Sequence, residues 1–480
     1  MAGEIERNLK GGAPAATSLC NSTGPSSNTT GGSAGQARVR INPDAERQNM
    51  KQGRATVTAM TSANRPDRII GVDICRSAAI LLAMFSHAMV VFDVSSFWPG
   101  LDVLRFTLQM ATPMFICLFG AMLEIAYGRK VQQGDSGVAI ERLLTRALQC
   151  YVLYAIAIGA RVVTGDYSVG FALRCLLFAG ATPFVDILKF YALVLILAPA
   201  IIALRLRFGL FVVAAIAIGI HVIYPLQQEI PAPALVAGKD YLGMMTRFLI
   251  GTGHSIVGGP SLFHGISLVL FGMIIGRGVA DLRGSSSDTQ RRGWLILTAF
   301  AAGSFSAFFL LWDWNDSAGM MTNIISMALR NANHPVYFAV GLATTITWVS
   351  VCIYLFDFCK LRWADGITFI GKVSLFTFCF GNILLIVQPF TAQSAGQSAA
   401  LAIIFGVLIA LQSFIYARLT GGGKPLQGAV WSLAARIVAA ITGMSDRIIA
   451  AMIAPFVPRY KRFVDNIVIP QHHLIRPAVT

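Results

Sequence analysis

Long apolar stretches alternate with short polar segments along the chain from residue 69 to residue 417. A membrane-spanning helix needs about 20 consecutive, mainly apolar residues. By this rule the pattern predicts ten spans, at 69–93, 103–127, 143–163, 184–204, 208–225, 260–279, 293–312, 335–357, 367–389 and 397–417. Within the sixth span, Gly272 and Gly276 have the spacing of a close helix–helix contact. We therefore expect an all-α polytopic membrane protein with about ten transmembrane helices.

The composition agrees with this class of protein. Of the 480 residues, 55% are hydrophobic and only 13% are charged, about half the charged fraction of roughly 25% in soluble domains. The formal net charge is +15, but no Lys/Arg cluster is interleaved with aromatic residues. The basic balance therefore indicates contact with anionic membrane lipids rather than with nucleic acid.

Lys and Arg are concentrated in alternate loops. They precede span one and follow spans two, four, six and eight, whereas the intervening loops hold acidic residues and few cations. The positive-inside rule assigns cation-rich loops to the cytoplasm. The sequence therefore predicts that both termini are cytoplasmic.

Two terminal segments flank the predicted membrane domain, which covers 67–418. Residues 1–66 are rich in Ser, Gly, Ala, Thr and Asn and contain no apolar stretch like that of a signal peptide, so we expect a disordered cytoplasmic tail. Residues 419–480 form a basic tail in which apolar and cationic residues are mixed. We predict an interfacial helix there, on the cytoplasmic leaflet, although an eleventh span at 430–455 stays open.

Span one contains three ionisable residues, Asp73, Arg76 and His87. An ionisable side chain inside a bilayer is costly, so each is a candidate functional residue. His87 follows Arg76 by eleven positions, which at about 100° per residue places both within about 20° of one helix face, with Asp73 about 40° away. At about 1.5 Å per residue, Arg76 and His87 are about 16 Å apart along the helix.

Two interpretations of this helix face stay open. In the first, Asp73 pairs with Arg76 at the membrane boundary, and His87 forms a hydrogen bond with a neighbouring helix. In the second, the planar guanidinium of Arg76 binds an anionic donor, and His87 is a general base because imidazole titrates near physiological pH. The common face and the number of ionisable residues favour the second interpretation.

Other candidates lie toward the predicted outer side, where an acceptor would bind: Lys189, His264, His334, Trp312, Asp313 and Trp314. Lys189 either forms a neutral pair with Asp186 or attracts an anionic acyl group. The two tryptophans and Asp313 form either an aromatic belt or a sugar-binding platform. The histidines are interpreted as hydrogen-bonding or secondary acid–base residues. No metal site is predicted, because the chain lacks His-x3-His and Cys-x-x-C spacings.

The spacing Arg68-x4-Asp73-x2-Arg76-x10-His87, in a span that reads DICRSAAILLAMFSHAM, resembles the opening helix of the membrane acyltransferase 3 superfamily. In that family the Arg-x10-His pair is the hallmark, and the histidine is thought to take a proton from the acceptor hydroxyl. The residue after the arginine is usually glycine, whereas this chain has Ser77. The Arg-x10-His pair nevertheless indicates an enzyme of the acyltransferase type.

Three further segments carry this resemblance. Tyr127-Gly128-Arg129, at the end of span two, is similar to OpgC-type members, which succinylate osmoregulated periplasmic glucans. Arg142 and Arg146 resemble the basic pair of the family, and the stretch 369–375, FIGKVSL, resembles its LG+xSL motif. The resemblance covers roughly 69–417.

The resemblance implies a multi-pass O-acyltransferase of the bacterial inner (plasma) membrane, with no bound cofactor. Its donor would be an acyl-CoA, either succinyl-CoA or acetyl-CoA, held from the cytoplasm near Arg76, Arg142 and Arg146. Its acceptor would be a hydroxyl of a periplasmic glucan or surface polysaccharide, with His87 as general base and Asp73 as a further catalytic candidate. The alternative is a secondary transporter or lipid-linked-sugar flippase, which predicts ionisable residues spread over two halves of the chain rather than concentrated in span one.

Overall fold

A computed structural model describes residues 69–236, 238, 240–252, 259–421 and 428–468. The chain divides into two compact units, Met1–Asp67 and Arg68–Thr480, and every described residue belongs to the second. The predicted disordered tail 1–66 therefore lies outside the described residues.

The second unit is built from helices, as the apolar pattern predicts. Its main helices are α1 Ile70–Val91, α2 Asp102–Gln132, α3 Ser136–Val163, α4 Asp186–Val222, α5 Leu262–Leu282, α6 Ser287–Leu311, α7 Pro335–Phe358, α8 Asp365–Lys372, α9 Ser374–Val387, α10 Ala395–Leu419, α11 Ala429–Ile453 and α12 Val457–Val468. Among the described residues, eight helices are long and apolar enough to cross a membrane, or up to ten if the bent pairs α8–α9 and α11–α12 each count as one span.

Helix α4 joins the predicted spans four and five. Its 37 residues would extend about 55 Å as a straight helix, far beyond the roughly 30 Å hydrocarbon core of a bilayer. Gly209 interrupts it with φ 80° and ψ −178°, a conformation that glycine adopts without a steric penalty. Before the break, the Phe190 ring packs against Gly265, close to the start of α5.

The chain reverses direction at this break. Arg205 pairs with Glu124, and Arg277, close to the end of α5, lies 3.9 Å from the same carboxylate. After the break, His221 Nε2 lies 2.8 Å from Ser267 Oγ. Because Ser267 is near the start of α5, this contact shows that the chain has turned back toward that end of α5. The two arms of α4 therefore run antiparallel, as the two predicted spans require.

The predicted ninth span, 367–389, differs from the structure because it is broken. Helices α8 and α9 meet at an angle of 80° on either side of Val373. Ser77 Oγ of α1 accepts a hydrogen bond from Gly371 N at 2.9 Å and donates one to Asp73 O at 2.9 Å. This contact fixes α8 against α1 and directs α9 along it.

Helix α1 begins against a carboxylate from the end of α7. The backbone N–H groups of Ile70 and Gly71 donate to Asp357 at 3.2 and 2.8 Å. These N–H groups have no partner within their own helix, and the positive end of the helix dipole favours a carboxylate there. Arg283 lies 2.9 Å from the same carboxylate, so the start of α1 is held by two other helices.

The cation-rich loops converge at one end of the bundle, which we call the basic end. There Arg205 pairs with Glu124, and Arg277 and Arg292 lie 3.0 and 2.7 Å from Asp281. Glu124 and Asp281 are buried, and removing one partner of a buried ion pair is strongly destabilising. These loops are the ones that the charge pattern predicts to be cytoplasmic.

The predicted close packing at the Gly-x-x-x-Gly spacing is confirmed. A Cβ atom on Gly272 would overlap the Cys117 carbonyl, and one on Gly276 would lie 2.5 Å from the Ala121 carbonyl oxygen. Helix α5 therefore contacts α2 backbone to backbone, as small residues allow in membranes.

Helices α11 and α12 cover one side of the bundle near the basic end. Asp446 of α11 accepts a hydrogen bond from Gln149 at 3.0 Å, and Asp465 of α12 accepts one from Ser136 at 2.7 Å. The angle between the two helices is 63°. Both lie in the segment 419–480, for which an interfacial location stays a prediction.

The sidedness of the bundle is directly testable with single cysteines at exposed positions in a background without the eight native cysteines. Ser96 and Glu229 follow spans one and five, whereas Ser285 lies at the basic end, and all three are exposed. We expect Ser96→Cys and Glu229→Cys to react with an impermeant thiol reagent added outside intact cells. Ser285→Cys should react only after the membrane is opened, and the reverse pattern would contradict cytoplasmic termini.

Candidate active site

Helices α1 and α9 lie side by side and contact each other through both candidate residues of the first span. Arg76 Nη2 donates a hydrogen bond to Ser374 Oγ at 3.0 Å, at the start of α9. Two turns further along α9, Asn382 Oδ1 lies 2.7 Å from His87 Nδ1. Both side chains therefore face the same neighbouring helix, as their eleven-residue spacing predicts.

The hydrogen bonds of Asn382 define the tautomer of His87. Asn382 Nδ2 donates to the Phe378 carbonyl at 2.7 Å, which assigns the amide oxygen to the His87 side. An oxygen acceptor requires a proton on His87 Nδ1, so Nε2 carries the lone pair. The ring also packs against Phe184, with centroids 4.9 Å apart. This arrangement leaves Nε2 as the imidazole nitrogen that can accept a proton.

Arg76 lines a large cavity of about 1010 Å³ near the basic end. Two other cations, Arg146 and Lys372, lie in the same wall, whereas most of the remaining lining is apolar. Arg146 Nη1 donates to Gln149 at 3.0 Å. Residues from α2, α3, α4, α9, α10 and α11 complete the wall. The cavity therefore combines cationic groups with a long apolar surface.

His87 lines a second, smaller cavity of about 240 Å³. Its ionisable and amide lining comprises His87, Gln109, Asp186 and Arg330. Aromatic rings form much of the remaining wall. The imidazole is therefore placed in a small chamber of mixed polarity.

Three apolar side chains line both cavities and form a septum between them: Phe115, Ile187 and Phe378. The rings of Phe115 and Phe378 are stacked, with centroids 6.5 Å apart and planes inclined by 12°. Arg76 and His87 thus lie on one helix but line two different cavities, which share these three residues.

The other donor-side and catalytic candidates are placed differently. Arg142 is exposed on α3, and neither it nor Asp73 is among the residues that line the two cavities. Asp73 is buried, and its backbone carbonyl accepts the hydrogen bond from Ser77. Arg146 therefore joins Arg76 in one site, whereas Arg142 and Asp73 lie beside it.

Lys189 is completely buried. Its ammonium lies 2.8 Å from Asp186 Oδ1, donates to the Gly180 carbonyl at 3.3 Å, and lies over the Phe248 ring. Asp186 lines the small cavity, whereas Lys189 does not. The charge of Lys189 therefore compensates a carboxylate in the chamber wall.

His264 and His334 belong to a neighbouring aromatic cluster outside the lining of the two cavities. His264 is buried, with Nδ1 2.9 Å from Ser261 Oγ. His334 Nδ1 accepts a hydrogen bond from Val336 N at 3.4 Å, which caps the start of α7. Burial lowers the pKa of the His334 imidazole below its ordinary value.

Trp312, Asp313 and Trp314 form a turn after α6, outside the lining of the two cavities. Asp313 Oδ1 accepts from Asn315 N at 3.0 Å. Trp314 is exposed and stacks on Phe309, with centroids 5.6 Å apart. Trp312 is buried, and its indole N–H donates to a serine.

Three residues that line a cavity or contact a lining residue were not candidates in the sequence. Asn382 occurs in an otherwise strongly apolar stretch, which is a signal of a polar contact between helices. Arg330 is the single Lys or Arg of the predicted outer segment 313–334, and so departs from the charge pattern. Lys372 belongs to the FIGKVSL motif, whose Ser374 contacts Arg76. Among the described residues, no cluster of three His, Cys, Asp or Glu is placed to hold a metal ion.

The part of the chain that the structure describes is thus a helical bundle with eight to ten helices long and apolar enough to cross a membrane. An arginine and a histidine on one of these helices each line a separate cavity. Residues 68–168 match the family model of the OpgC protein. The match covers α1, α2 and α3, and therefore Arg76, His87 and Arg146. No curated protein matches the chain. The comparison thus links the segment that carries the first-helix site to OpgC-type proteins.

Proposed function

We propose that the protein is an integral-membrane O-acyltransferase that moves an acyl group from an acyl-CoA donor to a glycan hydroxyl. The main support for this proposal is that Arg76 and His87, two residues of the same helix, line two neighbouring cavities. The large cavity contains the cations Arg76, Arg146 and Lys372, the small chamber contains His87, and the septum residues Phe115, Ile187 and Phe378 line both. Such a pair suits a donor and an acceptor that meet inside the membrane.

The large cavity suits the donor. Phosphates of coenzyme A would bind to Arg76, Arg146 and Lys372, since guanidinium groups form bidentate hydrogen bonds with phosphate and lysine acts as a point charge. The apolar wall would hold the pantetheine arm, with the thioester directed at the septum. In the predicted topology this cavity faces the cytoplasm, where acyl-CoA is available.

In the proposed reaction, the tautomer of His87 determines which ring nitrogen accepts the proton. The acceptor hydroxyl gives its proton to Nε2 as its oxygen attacks the thioester carbonyl carbon. The new C–O bond forms, the C–S bond breaks, and the departing thiolate of coenzyme A receives the proton from the imidazolium. Asn382 stabilises the proton on Nδ1 throughout. Enclosure within aromatic walls excludes water, which would otherwise hydrolyse the donor.

The acceptor proposed from the OpgC-type match is a periplasmic glucan, with a surface polysaccharide as the second choice. Succinyl and acetyl are the two acyl groups that this class of reaction would supply. In this proposal the acyl-CoA donor is a substrate, and no cofactor stays bound to the protein. The protein itself is located in the inner membrane.

Mass spectrometry of cell glycans tests the proposed function. Glycans from a strain that expresses the protein should carry succinyl or acetyl groups that are absent from the deletion strain, and re-expression should restore them. A transporter or flippase predicts a change in the amount or location of the glycan with its acylation unchanged. That result would reject the acyltransferase.

A further inference from the structure

Arg330 shares the small chamber with His87, although the two residues are far apart in the sequence. It comes from the loop between α6 and α7, whereas the septum residues lie within α2, α4 and α9. The chamber therefore has a basic group from one transmembrane helix and a permanent cation from a loop. The mechanism proposed above uses the first of these groups and not the second.

The loop holds Arg330 in a defined place. The short helix Ala328–Asn331 follows Met327, which has φ 66°, and precedes Asn333, which has φ 55°. The left-handed conformation of Met327 is costly and persists only where surrounding contacts fix it, whereas asparagine commonly adopts it just after a helix end. Asn333 supplies one such contact, because its side-chain oxygen accepts from the buried Ser261 N at 2.8 Å.

The guanidinium of Arg330 has weak internal partners. Its Nε and Nη2 atoms lie 3.4 Å from Asn331 Oδ1, at the long limit of a hydrogen bond. Within the described part of the chain, no carboxylate oxygen lies within 4.0 Å of Arg330 in an ion pair. The acid in the same chamber, Asp186, is already bonded to Lys189 at 2.8 Å.

We propose that Arg330 is a specificity-determining residue that binds the distal carboxylate of a dicarboxylic acyl group while the thioester carbon lies beside His87. This inference rests on the proposed acyltransferase function. A guanidinium holds a carboxylate through two parallel hydrogen bonds. The apolar walls of Phe115, Phe184 and Phe378 would hold the methylene groups between the two ends of the acyl chain. A neutral acyl group of equal length would leave Arg330 unpaired inside the chamber.

The experiment compares succinyl-CoA with butyryl-CoA, in which a methyl group replaces the distal carboxylate, using the full-length protein in proteoliposomes with the glucan acceptor. The readout is the ratio of kcat/KM for the two donors. Arg330→Leu should lower the succinyl-to-butyryl ratio by about 10- to 100-fold, the effect of losing a hydrogen bond to a charged group. Arg330→Lys should give an intermediate ratio, since it keeps the charge and loses the fork.

Butyryl transfer by Arg330→Leu reports whether the variant folds, and Arg105→Leu is the matched control. Arg105 is a cation in α2 outside the lining of both cavities, and its variant should keep the wild-type ratio. An equal loss with both donors would overturn the proposal, because it would indicate a role at the reacting carbonyl or in folding. An unchanged ratio would overturn it too. Wild-type protein that transfers neither acyl group would instead reject the acyltransferase function itself.

Discussion

His87→Ala should reduce acyl transfer by about 10²- to 10⁴-fold, the usual loss when a general base is removed, while the protein still inserts and expresses. The imidazole is the basic group whose orientation in the small chamber is set by the bond from Nδ1 to Asn382. The measurement is the initial rate of glucan acylation in proteoliposomes at saturating acyl-CoA. Donor binding should stay unchanged, since Arg76 faces the other chamber.

Two further variants separate catalysis from folding. His221→Ala also removes a partly buried imidazole, but from a site against Ser267 that lines neither cavity, so it should retain transfer. Asn382→Leu should give a smaller loss than His87→Ala, because the base remains but its tautomer is no longer fixed. Wild-type rates in a well-expressed His87→Ala protein would exclude His87 as the base.

The extent of most helices follows from the apolar pattern. The predicted spans 335–357 and 397–417 correspond to α7 and α10 within two residues, since a bilayer-length apolar stretch satisfies its own backbone hydrogen bonds only as a helix. The break at Val373 was not predicted, because hydropathy is averaged over a window. It depends on a contact between Gly371 and Ser77, which are almost three hundred positions apart.

The candidate site could be predicted only in part, for a related reason. Arg76 and His87 are conspicuous because ionisable groups are costly in a span, and their periodicity places them on one face. Asn382 is neutral, and its place in an apolar stretch indicates a polar contact between helices without indicating its partner. Arg330 lies in a four-residue helix within the connection between α6 and α7, which is too short for the sequence pattern to indicate which way a side chain points. Contacts between distant segments of the chain can be identified only from the folded structure. The cost of placing a charge in an apolar span can be estimated from the sequence alone.

The contact between Arg76 and α9 gives a reason for arginine rather than lysine at this position, and substitution can test that reason. Its Nη2 atom donates to Ser374 Oγ at 3.0 Å, which holds the guanidinium plane in the wall of the large cavity. A planar fork can bind this hydroxyl and a phosphate at the same time. An ammonium is a compact point charge without that geometry. Lysine at this position would therefore keep the charge of the cavity and lose its directed hydrogen bonds.

We accordingly expect Arg76→Lys to raise the KM for acyl-CoA by about tenfold and Arg76→Ala by about 100-fold, the range of one or more hydrogen bonds to a charged group. The turnover of bound donor should change less than KM, because His87 stays in place. Arg129→Ala removes an exposed cation from outside both cavities and should leave KM unchanged. If both Arg76 variants bind donor like the wild type but unfold at lower temperature, Arg76 serves to attach α1 to α9 and the donor site lies elsewhere.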